Sequence, residues 1–249
     1  MPRLFVPAEK LVGGQITLVG EPHRYLTRVL RFTAGARVDL FDGRGVEVEA
    51  TVLRAGSREV TLALGARRAV PAPLTPPVTL LQGLPRPERM DLIIQKVTEL
   101  GAARVIPVRT ARSAAGQQGR PDRWEKIAQE AARQCGRADS MDVAPVVSLV
   151  DAITRLASGT TRVVPWEDAP GALALGQALQ SVPSGTTGVD VLIGPEGGLT
   201  AEEVGVATGA GFQIVTLGPR ILRTETAAIA VLAVIQDHLG ALGPIRTEI

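Results

Sequence analysis

The chain contains little of what builds disulfides and metal centres. It has one cysteine, Cys135, and two histidines, His23 and His238, in distant segments. A single cysteine excludes an intramolecular disulfide, and so few sulfur and imidazole ligands argue against a zinc centre. We therefore predict no metal site. Aromatic residues make up only 3% of the chain, so aliphatic side chains and alanine have to fill the core.

Long apolar runs are also missing. The longest, Ala227–Ile235, is far shorter than the roughly 20 residues that a membrane-spanning helix needs. The N-terminus lacks the apolar segment of a secretory signal peptide. These absences predict a cytoplasmic protein without a membrane partner.

The charge is unevenly distributed along the chain. The net charge is +2, yet residues 1–72 hold eleven Lys and Arg against seven Asp and Glu. A basic segment of this kind favours contact with a polyanion such as RNA. An ordinary solvated surface explains the same charges equally well, so both interpretations stay open.

Residues 1–72 alternate between short strands and turns. Val46–Leu53 has the period of two that a half-buried strand requires, and Asp42–Gly45 before it has the chemistry of a hairpin turn. Several short strands with one helix predict a small β-barrel. Such barrels often bind oligonucleotides, but the fold alone does not establish that function.

The helix of this region is expected at Glu21–Arg31. Leu26, Val29 and Leu30 would form its apolar face. Basic side chains recur on another face at spacings of four and three residues, where they would contact phosphates or simply face solvent. These basic residues are Arg24, Arg28 and Arg31.

A proline-rich stretch separates this region from the rest of the chain. We place a domain boundary there, which gives domains 1–72 and 73–249. Strands and helices alternate in the second domain and predict a mainly parallel α/β sheet. The prolines of the stretch are Pro71, Pro73, Pro76 and Pro77.

Several helices of the second domain are expected from their apolar periodicity. Met90–Leu100 is amphipathic. In Pro121–Cys135 the apolar face includes Cys135, which predicts a core residue rather than a nucleophile. Val147–Ala157 and Pro170–Gln180 are also expected to be helical.

A glycine-rich loop, Gly194–Gly198, follows the apolar strand Val189–Ile193. Thr200 with Glu203 forms a capping box, so a helix starts just after the loop. The free N–H groups of that helix start could bind an anion. The loop lacks the lysine of a Walker A motif and the GxGxxG fingerprint. The residues alone leave open whether it is a ligand-binding loop or a structural turn.

A second loop, Leu217–Thr226, leads into the apolar helix Thr226–Leu239. Arg223 lies where the helix dipole disfavours a cation, which makes it the better functional candidate, whereas Glu225 is explained as a dipole partner. Neighbouring strand ends in open α/β sheets are where ligands bind. Arg109–Ser113 is a further arginine-rich loop, suited to phosphate or to solvent.

Together these segments resemble the RsmE-type methyltransferases of the SPOUT superfamily. The resemblance covers essentially the whole chain in the right order, and the joint occurrence of its motifs is specific. Its motifs are LIGPEGGLTAEE (192–203), LGPRILRTETA (217–227), MPRLFV (1–6), HRYLTRVLR (23–31), MDLIIQKVTELG (90–101) and EAARQCGR (130–137).

The resemblance implies both a fold and an activity. Members of this family methylate N3 of a uridine in 16S ribosomal RNA of the small subunit, with S-adenosylmethionine as cofactor. The implied fold is α/β: a small N-terminal PUA-like β-barrel that helps to hold RNA, followed by a SPOUT-type domain with a deep trefoil knot. Knots are rare exceptions to the usual chain topology. The family also implies a homodimer, in which the partner subunit completes the RNA site.

Site residues follow from the same resemblance. Three loops would hold the cofactor: 165–167, 194–198 and 217–226. The implied cofactor-binding residues are Glu167, Gly194, Pro195, Glu196, Gly197, Gly198, Leu217, Gly218, Ile221, Leu222 and Thr226. The RNA-binding residues expected from the basic clusters and the matching motifs are Arg3, Arg24, Arg28, Arg31, Arg109, Arg112, Arg133 and Arg137.

The methylation of uracil N3 leads us to predict two catalytic residues. Uracil N3 carries a proton, which has to leave before or during attack on a methyl group. Arg223 would stabilise negative charge on a uracil oxygen, and Glu225 would accept the proton or orient Arg223. The alternatives are a SPOUT methyltransferase for another nucleoside and a non-catalytic RNA-binding assembly protein. The missing Walker lysine argues against a nucleotide-dependent enzyme.

Overall fold

The computed structural model of the protein describes residues 1–70, 75–113, 119–182 and 185–243. The chain forms two units: an N-terminal unit of Met1–Ala72 with Gln129–Ser140, and a C-terminal unit of Pro73–Ala128 with Met141–Ile249. The sequence pattern does not foresee that residues 129–140 join the N-terminal unit. Pro71 and Pro73 of the expected linker lie outside the described residues.

A five-stranded sheet forms the centre of the N-terminal unit, in the order β1-β3-β4-β5-β2. The pair β1 and β3 is parallel and the other pairs are antiparallel. Alternate side chains of the strands are buried because successive residues point to opposite faces. The strands are β1 (Arg3–Phe5), β2 (Gln15–Val19), β3 (Arg37–Phe41), β4 (Val46–Ala55) and β5 (Glu59–Ala69).

The helix of this unit differs from the expected one. It begins as a short α-helix, α1 (Glu21–Arg24), and continues as a π-helical turn over Tyr25–Val29, where the Leu30 N–H donates to the Tyr25 carbonyl at 3.0 Å. A π-helical turn has more residues per turn than an α-helix, which changes the direction of the side chains within it. Leu26, near the start of the turn, is fully buried, whereas Val29, its last residue, is 67% exposed. The prediction that Val29 packs in the core is therefore wrong.

An eight-stranded sheet forms the centre of the C-terminal unit, in the order β11-β13-β10-β12-β6-β7-β8, with β9 also paired to β7. All of its pairs are parallel, as the alternation of strands and helices predicts. The strands are β6 (Val78–Gly83), β7 (Arg104–Arg109), β8 (Asp142–Val143), β9 (Val147–Ser148), β10 (Thr161–Pro165), β11 (Leu173–Ala174), β12 (Val189–Ile193) and β13 (Gln213–Thr216).

Helices cover both faces of this sheet. Leu80 packs with α2, α5 and α7 on one face, and its neighbour Leu81 packs with α4 and α6 on the other. Burial on both faces explains why the strands are almost continuously apolar. The helices are α2 (Pro87–Glu99), α3 (Pro121–Cys135), α4 (Leu149–Thr154), α5 (Leu175–Gln180), α6 (Ala201–Gly209) and α7 (Thr224–His238).

Three expectations for helices need correction. Cys135 is exposed rather than in the core, because the buried face of α3 ends at Ala131 and Ala132, and the chain from Gln134 to Gly136 is exposed. The expected helices 147–157 and 170–180 are shorter, since the short strands β9 and β11 precede them.

In the described part of the chain, no helix combines the length and apolar content needed to cross a membrane.

Candidate functional site

Three loops meet at the carboxyl edge of the parallel sheet in the C-terminal unit. They follow β10, β12 and β13, and they enclose a cavity of about 340 Å³, here called the loop cavity. Parallel strands bring their carboxyl ends to one edge, which is why distant loops meet there. The residues that line the cavity are Arg89, Pro165, Trp166, Glu167, Ile193, Gly194, Pro195, Glu196, Gly198, Leu199, Thr216, Leu217, Gly218, Arg220, Ile221, Leu222, Arg223, Thr224 and Ala227.

The glycine loop is packed so closely that side chains do not fit at key positions. A Cβ atom at Gly83 would lie 2.6 Å from the Pro195 ring, and one at Gly194 would lie 3.0 Å from the Gly198 carbonyl carbon. Gly198 has a φ of 72°, which disfavours other residues. The glycines therefore bring bare backbone to the wall of the loop cavity.

The capping box after the glycine loop is confirmed. The Thr200 hydroxyl accepts the Glu203 N–H at 3.2 Å, and Glu203 Oε2 accepts the Thr200 N–H at 2.9 Å. The second carboxylate oxygen, Glu203 Oε1, accepts the N–H of Ala111 at 2.7 Å. This single carboxylate thus holds the start of α6 and the arginine-rich loop after β7.

Arg89 connects two walls of the loop cavity, and it is not among the residues predicted from the sequence. It lies in the first turn of α2 and contacts Glu225 Oε1 at 2.5 Å and Glu196 Oε1 at 3.1 Å. Glu196 Oε1 also accepts the Arg86 N–H at 3.0 Å. The sequence carries a signal for Arg89, because a cation in the first turn of a helix opposes the helix dipole, as it does at Arg223.

Glu225 is held in its ionised form. Burial alone would raise the pKa of its carboxyl, but the hydrogen bond from Arg89, a backbone N–H and the charges of Arg89 and Arg223 together lower that pKa below its ordinary value of 4.5. The other carboxylate oxygen, Oε2, is buried and has no hydrogen-bond partner among the described residues. A carboxylate with a lowered pKa is a weak proton acceptor.

Most of the implied cofactor residues line the loop cavity. They are Glu167, Gly194, Pro195, Glu196, Gly198, Leu217, Gly218, Ile221 and Leu222. The structure places the other two outside it. The Gly197 carbonyl accepts a hydrogen bond from Arg112 at 2.9 Å instead, and Thr226 is an exposed residue of α7. Arg223, just before α7, lines the cavity, whereas Glu225 reaches its wall through Arg89.

The predicted RNA-binding arginines fall into two groups. The exposed ones are Arg24, Arg28 and Arg31 in the N-terminal unit, and Arg109 and Arg112 in the C-terminal unit.

The other three make contacts inside the N-terminal unit, and RNA contact at these three stays a prediction. The Arg3 side chain is 16% exposed, pairs with Glu47 and donates to the Gly136 and Arg137 carbonyls. Arg133 stacks over the Tyr25 ring at 4.2 Å, and Arg137 pairs with Asp139 at 2.6 Å.

The chain matches two known families along its length. Residues 72–236 match the RNA methyltransferase domain family, and residues 24–64 match the RNA methyltransferase PUA domain family. It is 33% identical to the ribosomal RNA small subunit methyltransferase E of Mycobacterium tuberculosis over 232 residues, 90% of this chain and 86% of the relative. The corresponding Bacillus subtilis protein is 32% identical over 227 residues, 88% of each chain.

Solved structures agree with these relatives. The Neisseria gonorrhoeae ribosomal RNA small subunit methyltransferase E bound to S-adenosyl methionine has a TM-score of 0.85, 31% identity, and coverage of 95% of this chain and 97% of that one. A Legionella pneumophila structure, also solved with the cofactor SAM, has a TM-score of 0.83, 29% identity and the same coverage. Fold and site define an RNA methyltransferase with a PUA domain. The chain belongs to the ribosomal RNA small subunit methyltransferase E family.

Proposed function

We propose that this protein transfers a methyl group from S-adenosylmethionine to N3 of a uridine in 16S ribosomal RNA of the small subunit. The observation that carries this proposal is the loop cavity, formed by the three loops that the family assigns to its cofactor. Membership of the methyltransferase E family supports the substrate.

The residues around the loop cavity fit this cofactor. Its volume of about 340 Å³ is within the range of small-molecule sites. Bare backbone at Gly194 and Gly198 allows close approach to a flat ring, and Leu217 and Leu222 supply apolar contact. When bound, the cofactor supplies an electrophilic methyl group on its sulfonium, and the protein contributes the positions of the reactants.

Arg223 is proposed to act on the uracil. Its side chain is exposed and lines the loop cavity. A guanidinium there would stabilise the negative charge that a uracil oxygen gains when N3 releases its proton to solvent water. This electrostatic role requires no change in the protonation of Arg223.

Glu225 is proposed to orient a cation rather than to remove the N3 proton. Its lowered pKa makes it a poor base, and its carboxylate is bonded to Arg89 rather than to Arg223. In this role Glu225 holds the Arg89 side chain between the glycine loop and α7. Its own negative charge also stays next to Arg223.

RNA contact is assigned to the exposed arginines of each unit. Positive side chains bind the phosphate backbone without reading sequence. The target uridine has to be unpaired or splayed out, because the reactive N3 edge is used in base pairing. The arginines proposed for these contacts are Arg24, Arg28, Arg31, Arg109 and Arg112.

The proposal includes a cytoplasmic homodimer with a knotted catalytic domain. The family resemblance carries these three points. Light scattering on the purified protein tests the dimer, with twice the 26.1 kDa chain mass expected.

One experiment tests the reaction itself. The protein is incubated with methyl-labelled S-adenosylmethionine and with unmodified small-subunit RNA or particles, and the labelled nucleoside is identified. We expect 3-methyluridine. A different methylated nucleoside would reveal another SPOUT specificity, and RNA binding without any methylation would indicate an assembly protein.

A substitution tests the role of Arg223 within this reaction. Arg223→Ala should retain cofactor binding but slow methyl transfer by about a hundredfold, as the loss of one charge-stabilising group does elsewhere. Arg155→Ala removes an exposed arginine at the end of α4, away from the loop cavity, and serves as control. Undiminished transfer by Arg223→Ala would contradict the assignment.

A further inference from the structure

Gln82 is a polar residue in a place where the strand is otherwise apolar. It is the penultimate residue of β6 and is 0% exposed. Central strands of parallel sheets are buried on both faces, so an amide there loses its water and needs internal partners. A buried polar side chain such as Gln82 therefore indicates a specific role, whereas buried leucines are expected anywhere in a core.

The Gln82 amide bonds to groups from two distant segments. Its Nε2 donates to Thr224 Oγ1 at 3.0 Å and to the Gly83 carbonyl at 3.0 Å, and it lies 3.4 Å from the Gly194 carbonyl. The Thr224 hydroxyl in turn donates to the Gly194 carbonyl at 2.6 Å. The two carbonyl oxygens fix the amide orientation, because only its NH₂ end can face acceptors.

This network lies directly behind the loop cavity. Gly194 begins the glycine loop and Thr224 is the first residue of α7, and both line the cavity. Gln82 itself does not line it, and it lies 112 and 142 residues away from these partners in the chain. Any effect of Gln82 on a ligand is therefore exerted through Gly194 and Thr224.

We propose that Gln82 is a positioning residue that sets the separation between the glycine loop and the start of α7. The site is then organised before the ligand arrives, and binding does not have to order the two walls. The identity of the ligand as S-adenosylmethionine rests on the proposed function.

The first test replaces Gln82 by Met, which keeps the length of the side chain and removes its N–H donors. We expect the dissociation constant for S-adenosylhomocysteine, measured by calorimetry, to rise about tenfold, the size of one lost hydrogen bond in a buried site. The KM for S-adenosylmethionine should rise by a similar factor, while kcat changes little.

A second buried glutamine provides the matched control. Gln236 lies near the end of α7, is 4% exposed, and has an Oε1 without a partner among the described residues, as Gln82 does. Gln236→Met should lower the melting temperature without changing the dissociation constant. Equal weakening by both variants would reduce the Gln82 effect to general destabilisation and overturn the proposal.

The partner residue tests the same contact independently. Thr224→Val removes the hydroxyl at nearly constant shape, and Thr224→Ser should bind S-adenosylhomocysteine more tightly than Thr224→Val. Combining Gln82→Met with Thr224→Val should weaken binding by less than the product of the two single effects. Fully multiplicative effects would contradict a shared network, even if one single variant folded poorly.

The outcomes separate this inference from the proposed function. Wild-type protein that binds neither S-adenosylmethionine nor S-adenosylhomocysteine would overturn the function. If the wild-type protein binds them and Gln82→Met binds them equally tightly, the positioning role alone is overturned.

Discussion

Glu225 links the charge of the site to the stability of the fold. Because its pKa in the folded protein lies below the ordinary value of 4.5, its contribution to stability is present above that value and is lost as pH falls through the lowered pKa. Glu225→Gln should therefore melt at a lower temperature than wild type near neutral pH. The gap should be constant down to about pH 5 and shrink at lower pH. Calorimetry across this range measures it.

The pKa of Asp190 is shifted in the opposite direction to that of Glu225. Burial raises the pKa of this β12 carboxyl above 3.8, despite its bonds to Thr160 at 2.5 Å and to Arg162. The stability that it contributes is complete below its ordinary pKa and is lost as pH rises through the raised one. Asp190→Asn should therefore gain stability relative to wild type as pH rises. Parallel trends for Asp190→Asn and Glu225→Gln would contradict these pKa directions.

At the scale of an element, the start of α6 depends on its capping box. Thr200→Ala removes the acceptor for one free N–H and should cost about 1 kcal/mol, which lowers the melting temperature by roughly 2–4 °C in a chain of this size. Thr200→Ser keeps the hydroxyl and should stay close to wild type. Glu203→Ala should cost more than Thr200→Ala, since it leaves the N–H groups of Thr200 and Ala111 without their acceptor. If all three variants melted at the wild-type temperature, the capping box would contribute nothing to the stability of the fold.

Local sequence patterns predict elements well where one periodicity holds throughout. The face of α2 is an example, since Met90, Ile93 and Ile94 are fully buried as expected. The patterns fail where the geometry changes within an element. Val29 faces outward at the end of the π-helical turn, and Cys135 is exposed because the buried face of α3 ends at Ala132. Neither change leaves a mark in the spacing of apolar residues.

At the scale of the whole molecule, the sequence predicts which loops form the site but not how they are joined. The glycines identify the loop after β12, and Arg223, a cation at the N-terminus of a helix, identifies the loop after β13. The pairs that hold them, Arg89 with Glu225 and Gln82 with Thr224, are separated by 136 and 142 residues. Only the order of strands in the sheet brings such pairs together, and a single sequence does not encode that order locally.

The distribution of charge between the units yields the last prediction. A deletion of residues 1–70 would be a poor test of RNA binding, because Arg3 and Tyr25 contact residues 129–140 of the same unit. The full chain with Gln at the three exposed arginines of residues 24–31 is the better test. The replaced residues are Arg24, Arg28 and Arg31.

Neutralising three phosphate contacts should lower the salt dependence of RNA binding. The slope of log K against log salt should decrease by about 2, since each contact to single-stranded RNA contributes about 0.7. A control variant with Gln at the exposed Arg54, Arg58 and Arg67 removes the same charge from the β4–β5 hairpin. If the control changes the slope equally, the general positive charge of the unit, rather than the arginines at residues 24–31, attracts the RNA. If neither variant changes it, the phosphates are bound elsewhere, and Arg109 and Arg112 become the residues to replace.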